Sequence, residues 1–214
     1  MIAVIISTVG GCGTSTMARD FAKEAKGLLI EASNRMRVQD LFLDEATDAI
    51  EDYMDFLRGK PLRDVVIQGD GYDFIQGNIF HDLDEIDDED FFKAVQNFGD
   101  DDVFVDLSRY REKDLLNWAK VADVIYCVAV NRPGSVRNLD RIQFILRRNK
   151  CPAKVVPVLN RLKPGDREAL EGIENLHLDD ALYFNEVQKP SFSLKGGRAD
   201  GGEKKSFWSF LKGR

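Results

Sequence analysis

The sequence predicts an α/β layer fold in which a mostly parallel sheet carries helices on both faces. Short, continuously apolar runs alternate with stretches of helical spacing, and a glycine-rich turn joins the first run to the first helix. The chain has 214 residues, which fits one globular domain. Its apolar fraction of 43% is enough for a buried core, and 31% charged residues is typical of soluble proteins.

The first predicted unit is strand, loop, helix and strand within about 30 residues, the size of a βαβ unit. Residues 1–7 form a continuous apolar run, which is typical of a buried parallel strand. Apolar side chains then recur at helical spacing in Ser15–Lys26, and Gly27 ends this predicted helix. Leu28–Glu31 is the second predicted strand.

The alternation continues in the second half of the chain. Strands are predicted at Val103–Leu107, Val124–Val130 and Val155–Leu159, and helices at Glu112–Val121 and Val136–Asn149. Because each strand is apolar throughout and is separated from the next by a helix, a parallel sheet is favoured over an antiparallel one.

Composition and spacing exclude several classes of protein. No run approaches the roughly 20 apolar residues of a membrane-spanning helix, and the first residues lack the basic region of a signal peptide. Three cysteines without a CxxC pair and two histidines leave no zinc-ligand spacing, so a reduced cytosol is the expected compartment. The acidic stretches Asp82–Asp90 and Asp100–Asp102 lack the spacing of a calcium loop and are predicted to be solvated loops or helix ends.

Charge is unevenly distributed along the chain. Residues 195–214 hold six basic and two acidic side chains, a net of +4, which leaves −11 on residues 1–194 out of a total of −7. An acidic body argues against a general nucleic-acid coat, because contacts to phosphate backbones need a basic footprint.

The basic C-terminal end is predicted to be an amphipathic tail at 204–214, joined by a flexible linker at 191–203 to a domain at 1–190. Aromatic and leucine side chains fall on one helix face and lysines flank them, which is typical of a helix lying on an anionic membrane. A tail docked on its own domain or on a protein partner is the alternative. The predicted membrane residues are Lys204, Lys205, Phe207, Trp208, Phe210, Leu211 and Lys212.

The most informative stretch is Ser7–Thr16, and its part Thr8–Thr16 is here called the glycine loop. A glycine-rich turn between a buried strand and a helix points backbone N–H groups into one concavity, and the helix N-terminus adds a partial positive charge that suits phosphate. The general phosphate-loop pattern ends in Gly-Lys followed by Ser or Thr. Here Thr14 stands at the lysine position and Ser15 at the hydroxyl position.

The glycine loop resembles that of the MinD/ParA-type P-loop ATPases, which reads KGGxGK, then Ser or Thr, then Thr. Val9–Thr16 matches every small residue and replaces both lysines, by Val9 and Thr14. The resemblance covers most of residues 1–165 and implies a three-layer P-loop NTPase fold. Further similar segments are Leu29–Ser33, Leu57–Gly59, Leu62–Val65, Asp73–Gly77, Val103–Leu107 and Val158–Arg161.

The resemblance implies ATP or ADP with magnesium as the ligand. An empty or anion-occupied loop, whose glycines serve the tight turn alone, is the alternative. Arg35 or Arg37 is a candidate replacement for the missing lysines. The implied nucleotide positions are Gly10, Gly11, Cys12, Gly13, Thr14, Ser15, Thr16, Asp106, Asn160 and Arg161, with Ser15 and Asp106 as the implied magnesium ligands.

Departures from the family pattern bear on catalysis. The family's catalytic aspartate falls on Ser33, and the acid two positions earlier falls on Glu31. Phosphoryl transfer depends on positioning and on charge neutralisation, and loss of one transition-state cation costs on the order of 10³-fold in rate. We therefore expect a pseudo-ATPase with no catalytic residue.

The resemblance also implies a cellular role. It implies a homodimer on the inner face of the cell membrane that positions a bacterial surface machine such as a pilus, flagellum or secretion system, as in the TadZ/CpaE group. Two alternatives stay open: an active membrane-cycling ATPase that recruits a cation from a partner subunit, and a DNA-partitioning protein. DNA is the less expected partner, although one predicted helix is basic, at Arg137, Arg141, Arg147, Arg148 and Lys150.

Overall fold

The structure is a computed structural model that describes residues 1–34, 37–39, 51–69, 71–99, 101–173 and 176–185. The predicted linker and amphipathic tail lie outside the described residues, as does the predicted domain boundary at residue 190. Within the described ranges, no helix is both long enough and apolar enough to cross a membrane.

In the described ranges, eight strands form one sheet, with the spatial order β3-β4-β2-β5-β1-β6-β7-β8. Neighbouring strands pair in parallel, and the edge pair β3–β4 is antiparallel. This confirms the mostly parallel sheet. The strands are β1 Ile2–Ser7, β2 Leu28–Glu31, β3 Ile67–Gln68, β4 Asp73–Ile75, β5 Val103–Leu107, β6 Val124–Ala129, β7 Lys154–Leu162 and β8 Leu182–Asn185.

Seven helices connect or flank these strands in the described part of the chain. They are α1 Thr14–Ala25, α2 Tyr53–Leu57, α3 Leu62–Val65, α4 Asp88–Val95, α5 Glu112–Val121, α6 Pro133–Arg148 and α7 Asp166–Glu171. Two short 3-10 turns lie at Leu83–Glu85 and Gln96–Phe98. Helices on both faces of the sheet confirm the three-layer arrangement.

Several element bounds differ from those predicted. Helix α6 begins at Pro133, three residues before the predicted start, because proline suits the first helical position, where no N–H bond is needed. The family-like segment Leu57–Gly59 begins at the last residue of α2. Helix α2 begins after Asp52, whose carboxylate accepts hydrogen bonds from the backbone N–H groups of Met54 and Asp55.

The acidic stretch Asp82–Asp90 contributes the start of α4, which confirms its prediction as a helix end. Asp87 precedes the helix and accepts a 2.8 Å hydrogen bond from the backbone N–H of Asp90. The acids that follow stabilise the positive end of the helix dipole. The edge strands β3 and β8 and the helix α7 were not predicted, because two to six residues carry little periodicity.

Two hydrophobic clusters fill the two faces of the sheet. On one face α1 inserts Met17 and Phe21, and the Phe21 ring meets Tyr126 edge-on at 5.2 Å between centroids. On the other face Trp118 of α5 packs edge-on against Phe91 of α4 at 5.1 Å. Because β1, β5 and β6 are parallel and in register, their carboxyl ends meet at one edge, where the glycine loop begins.

Candidate functional site

The backbone of the glycine loop forms an open concavity. Gly11 and Gly13 have φ values of +76° and +97°, a region that favours glycine, and Gly13 is the residue that precedes α1. A Cβ atom added at Gly10 or Gly11 would meet no atom within 4 Å, so this side of the loop is open. The first turn of α1 contains no acidic residue, and its free N–H groups can therefore receive an anion.

Neighbouring elements hold the glycine loop in its conformation through hydrogen bonds. The amide of Asn138 in α6 donates to the Thr8 carbonyl oxygen at 2.7 Å, and the Thr8 hydroxyl lies 2.6 Å from that of Ser135. On the other side, the amide of Asn160 in β7 donates to the Cys12 carbonyl oxygen at 2.7 Å. The loop conformation therefore depends on the protein's own side chains.

Neutral side chains fill the two positions where the resemblance expects lysine. Thr14 is buried, and its hydroxyl lies 3.1 Å from the Sγ atom of buried Cys12. Val9 is half-buried against the cluster beneath α1. Thr8–Thr16 contains no lysine or arginine, so the loop itself offers backbone dipoles and no cation.

Asp106 lies at the carboxyl end of β5, wholly buried beside α1. One carboxylate oxygen accepts a hydrogen bond from the Ser108 backbone N–H at 3.1 Å, and the other accepts from Gln39 Nε2 at 2.8 Å. The Ser15 hydroxyl is also within hydrogen-bonding reach. Burial raises the pKa of Asp106, and the bonds from Ser15, Gln39 and Ser108 oppose this rise.

Glu31 ends the neighbouring strand β2 and is also fully buried. Its carboxylate accepts backbone hydrogen bonds from Val38 at 2.6 Å, Gln39 at 3.3 Å and Gly77 at 3.2 Å. Burial raises the pKa of Glu31 to about 7, and the nearby Asp106 charge adds to the rise. The bonds from Val38 and Gln39 hold these two residues against the carboxyl end of β2.

Ser33 stands where the resemblance places a catalytic aspartate. Its hydroxyl accepts a 3.0 Å hydrogen bond from the Arg109 backbone N–H and donates to the Asp106 carbonyl oxygen at 3.3 Å. It also lies 3.2 Å from the Ser108 hydroxyl. The position therefore serves to join β2 to the turn after β5, and it carries no carboxylate that could orient a water molecule.

A cavity of about 370 Å³ opens beside the glycine loop, between the turn after β5 and α6. Val9 and Gly10 line it on one side, and Arg109 and Arg141 line it on the other. Arg109 is thus a described cation near the loop. Of the two arginines considered as lysine replacements, Arg35 lies outside the described residues and Arg37 is half-buried.

The structure exposes the basic residues predicted on the sixth helix. Arg137, Arg141, Arg147 and Arg148 are exposed on α6, and Lys150 is exposed just after it. Arg141 lies 4.0 Å from Glu112, so part of this charge is balanced. DNA binding by this face stays the less expected alternative.

No protein-family model matches the chain, and no curated protein matches it. Solved structures do. A ParA family ATPase from Chlorobium tepidum is similar with a TM-score of 0.73 and 18% identity, over 87% of this chain and 85% of that one. The MinC:MinD cell division protein complex from Aquifex aeolicus is similar with a TM-score of 0.70 and 23% identity, over 87% of this chain and 82% of that one. The septum site-determining protein MinD complexed with Mg-ADP, from Pyrococcus horikoshii, is similar with a TM-score of 0.68 and 16% identity, over 87% of this chain and 81% of that one.

This chain has the MinD/ParA-type P-loop fold. That fold implies a magnesium nucleotide at the glycine loop, and the residues fit it only in part. The open backbone concavity and the first turn of α1 fit a phosphate group. The cation position fits less well, because neutral donors already contact both Asp106 oxygens and the Gln39 amide is one of those donors. Within the described ranges, no group of three or more His, Cys, Asp and Glu side chains could hold a metal ion.

The MinD/ParA-type fold brings most of the sequence-predicted site residues to one place. Asp106 and Asn160 meet the glycine loop, whereas Arg161 is exposed with a φ of +56°. Their roles in binding nucleotide or magnesium stay predictions. Sequence reasoning missed Gln39 and Arg109, because Gln39 is 67 residues from its partner Asp106 and neither residue belongs to a local motif.

Proposed function

We propose that this chain is a MinD/ParA-like protein that does not hydrolyse ATP efficiently and acts as a membrane-associated scaffold. The supporting observation is that neutral side chains fill the charged positions of the site. Thr14 replaces a lysine, Ser33 replaces a carboxylate and the Gln39 amide contacts Asp106. Each of these polar groups is hydrogen-bonded within the protein.

The physical reason is that phosphoryl transfer needs charge neutralisation at the phosphates. Loss of a single transition-state cation lowers the rate on the order of 10³-fold, and both lysine positions of this loop are neutral. The backbone cradle can still bind an anion through N–H groups and the dipole of α1. The proposed ligand state is therefore a phosphate-bearing ligand held without turnover, or an empty loop.

Phosphate release with Mg-ATP tests this proposal. We expect the wild type to remain at the protein-free background, and we expect Thr14→Lys to bind ADP more tightly in calorimetry because a lysine there reaches the phosphates. Gly13→Val is the control, because a β-branched residue at a φ of +97° disrupts the backbone concavity that would bind phosphate. Release that scales with wild-type concentration and disappears in Gly13→Val would refute the proposal. A rate that rises with the square of concentration would favour the alternative of a cation recruited from a partner subunit.

The membrane part of the proposal is supported by the sequence of residues 204–214. Four apolar side chains with flanking lysines suit an anionic bilayer surface, where each basic residue contributes about 1 kcal/mol. Co-sedimentation with phosphatidylglycerol vesicles should capture the full chain at low salt. The chain lacking 204–214, and a Trp208→Glu variant, should stay in the supernatant. Equal sedimentation of the truncated chain would contradict the tail proposal.

The proposed scaffold is a homodimer at the inner face of the cell membrane, in contact with a surface machine such as a pilus. Two tails on one dimer would bind far more tightly than one, because the second attachment is intramolecular. Sedimentation equilibrium without nucleotide measures the oligomeric state. A monomer at all concentrations would remove this part of the proposal.

DNA binding is the second candidate, favoured by the exposed basic residues on α6. A salt-dependent shift of random duplex DNA would support it. Replacing Arg147 and Arg148 with glutamate should then abolish the shift. No shift of the wild type at low salt would end this alternative.

A further inference from the structure

Gln39 is a fully buried glutamine that joins the two sides of the site. Its Nε2 atom lies 2.8 Å from Asp106 Oδ2 and 2.8 Å from the carbonyl oxygen of Ser15 in α1. Its backbone N–H contacts both carboxylate oxygens of Glu31 at 3.3 Å. One residue thus bridges β2, β5 and the first turn of α1.

The orientation of the Gln39 amide follows from its neighbours. An amide NH2 group has two hydrogens, and the two atoms that it faces, a carboxylate oxygen and a backbone carbonyl oxygen, are acceptors. The reversed amide would place oxygen against oxygen. The Oε1 atom at the other end is buried and has no hydrogen-bond partner among the described residues, which is an unfavourable arrangement that the NH2 contacts must offset.

We infer that the Gln39 side-chain amide takes the place of a divalent cation at Asp106 and joins this carboxylate to the first turn of α1 without metal. A divalent cation would need oxygen ligands at the carboxylate that the amide now contacts. The neutral donor and the cation therefore compete for one position. The inference goes beyond the absence of turnover, since it concerns metal exclusion and holds whether or not ATP is hydrolysed.

The surroundings of the amide explain why a neutral donor can replace a cation there. Asp106 also accepts from the Ser108 backbone, and Glu31 accepts three backbone N–H groups. The two carboxyl groups are thus hydrogen-bonded without any lysine or arginine partner among the contacts that the structure gives them. If Gln39 is removed, Asp106 loses its amide donor and an oxygen-rich position opens beside the Ser15 hydroxyl.

Thermal unfolding of the metal-stripped full chain, titrated with MnCl2 or MgCl2 and without nucleotide, tests this inference. The wild-type Tm should not respond to metal. Gln39→Ala should have a lower Tm without metal and should gain roughly 5–10 °C when the metal reaches about 100-fold above its Kd. Electron paramagnetic resonance should detect bound Mn²⁺ in this variant and none in the wild type.

The chain offers a matched control in Gln143, which is also buried. Its Nε2 donates to the His177 carbonyl oxygen at 2.7 Å, and its Oε1 also lacks a hydrogen-bond partner in the described part of the chain. Gln143→Ala removes an equivalent buried amide on α6 and should show no metal response. Adding Asp106→Asn to Gln39→Ala should abolish the response, since the carboxylate is the proposed ligand.

Two results would overturn the inference: a wild-type Tm that rises with metal as much as that of Gln39→Ala, or a folded Gln39→Ala without any rise. Gln39→Glu serves as the second variant because it keeps the side-chain length and sets a carboxylate against Asp106. It should be less stable than the wild type in EDTA and should recover with Mn²⁺. Wild-type stability of Gln39→Glu in EDTA would also overturn the inference.

Discussion

The two halves of the site differ in what they retain. The phosphate half, made of the glycine loop and the start of α1, keeps its open backbone concavity and its two glycines with positive φ. The cation half, around Asp106 and Glu31, is filled by hydrogen-bonding groups of the protein itself. A cradle made of backbone survives the loss of charged side chains, whereas a cation position depends on side chains that neutral donors can replace.

The two halves also differ in how the chain builds them. The phosphate half is contiguous, from the end of β1 to the first turn of α1. The cation half brings together the ends of β2 and β5 with residues 37–39, and it accumulates buried acids that desolvation makes costly. The predictions below test this contrast, from the largest expected effect to the smallest.

Glu31→Gln should change the pH dependence of stability. Because burial raises the pKa of Glu31 from 4.5 to about 7, the folded chain holds a proton that the unfolded chain has lost in this interval. The wild-type free energy of unfolding should therefore fall as pH rises from 4.5 to 7, by up to about 3 kcal/mol from this group. Urea unfolding across this interval measures the slope.

The Glu31→Gln variant should have a flatter profile in the same interval. Asp106, whose pKa burial also raises, contributes a slope of the same sign that remains in the variant. A variant with the wild-type slope would show that Glu31 does not titrate in this interval. Burial of the acids in the cation half would then destabilise the fold less than proposed.

Asn160→Ala should destabilise the protein by about 2 kcal/mol, because the buried Cys12 carbonyl oxygen and the Arg161 N–H both lose their partner. Chemical denaturation measures the change. Asn149→Ala is the matched control, since its amide donates to the Ile145 carbonyl oxygen at an exposed helix end, and it should cost under about 0.5 kcal/mol. Equal effects would mean that β7 does not support the glycine loop.

Gly11→Ala should cost about 1 kcal/mol, because its φ of +76° disfavours a residue with a Cβ atom. Gly10→Ala is the control. Both positions have space for a Cβ atom, but Gly10 has no positive φ and should stay within about 0.5 kcal/mol of the wild type. If both variants match the wild type, backbone conformation is not what maintains the phosphate half.

Arg109→Ala should weaken binding of pyrophosphate about two- to fivefold, the effect expected of one solvent-screened charge. Arg109 lines the cavity beside Val9 and Gly10, so its charge acts on the phosphate half. Calorimetry at low salt measures the affinity. Arg137→Ala, on the exposed side of α6, should leave the pyrophosphate affinity unchanged. A larger loss in Arg137→Ala than in Arg109→Ala would mean that the anion binds near α6 and not at the phosphate half.

Short-range signals allowed much of the fold to be predicted. Continuous apolar runs located β1, β2 and β5, and the bounds of β2, β5 and α5 agree with those predicted. The edge strand β3 has two residues, and its antiparallel pairing with β4 depends on a turn that no periodicity reveals. The same limit applies to the site. Its glycines form a local motif, while Gln39 belongs to none.

By itself, the amino-acid sequence determined the alternating strands and helices, the glycine loop between β1 and α1, and the absence of lysine from that loop. These features are encoded by neighbouring residues through periodicity, backbone conformation and residue type. Only the tertiary structure decided that Gln39 meets Asp106 across 67 residues, and that Asn160 meets Cys12 across 148. The physical reason is that such contacts depend on how strands are ordered in the sheet, and pairing energies between distant residues leave no local pattern in the sequence.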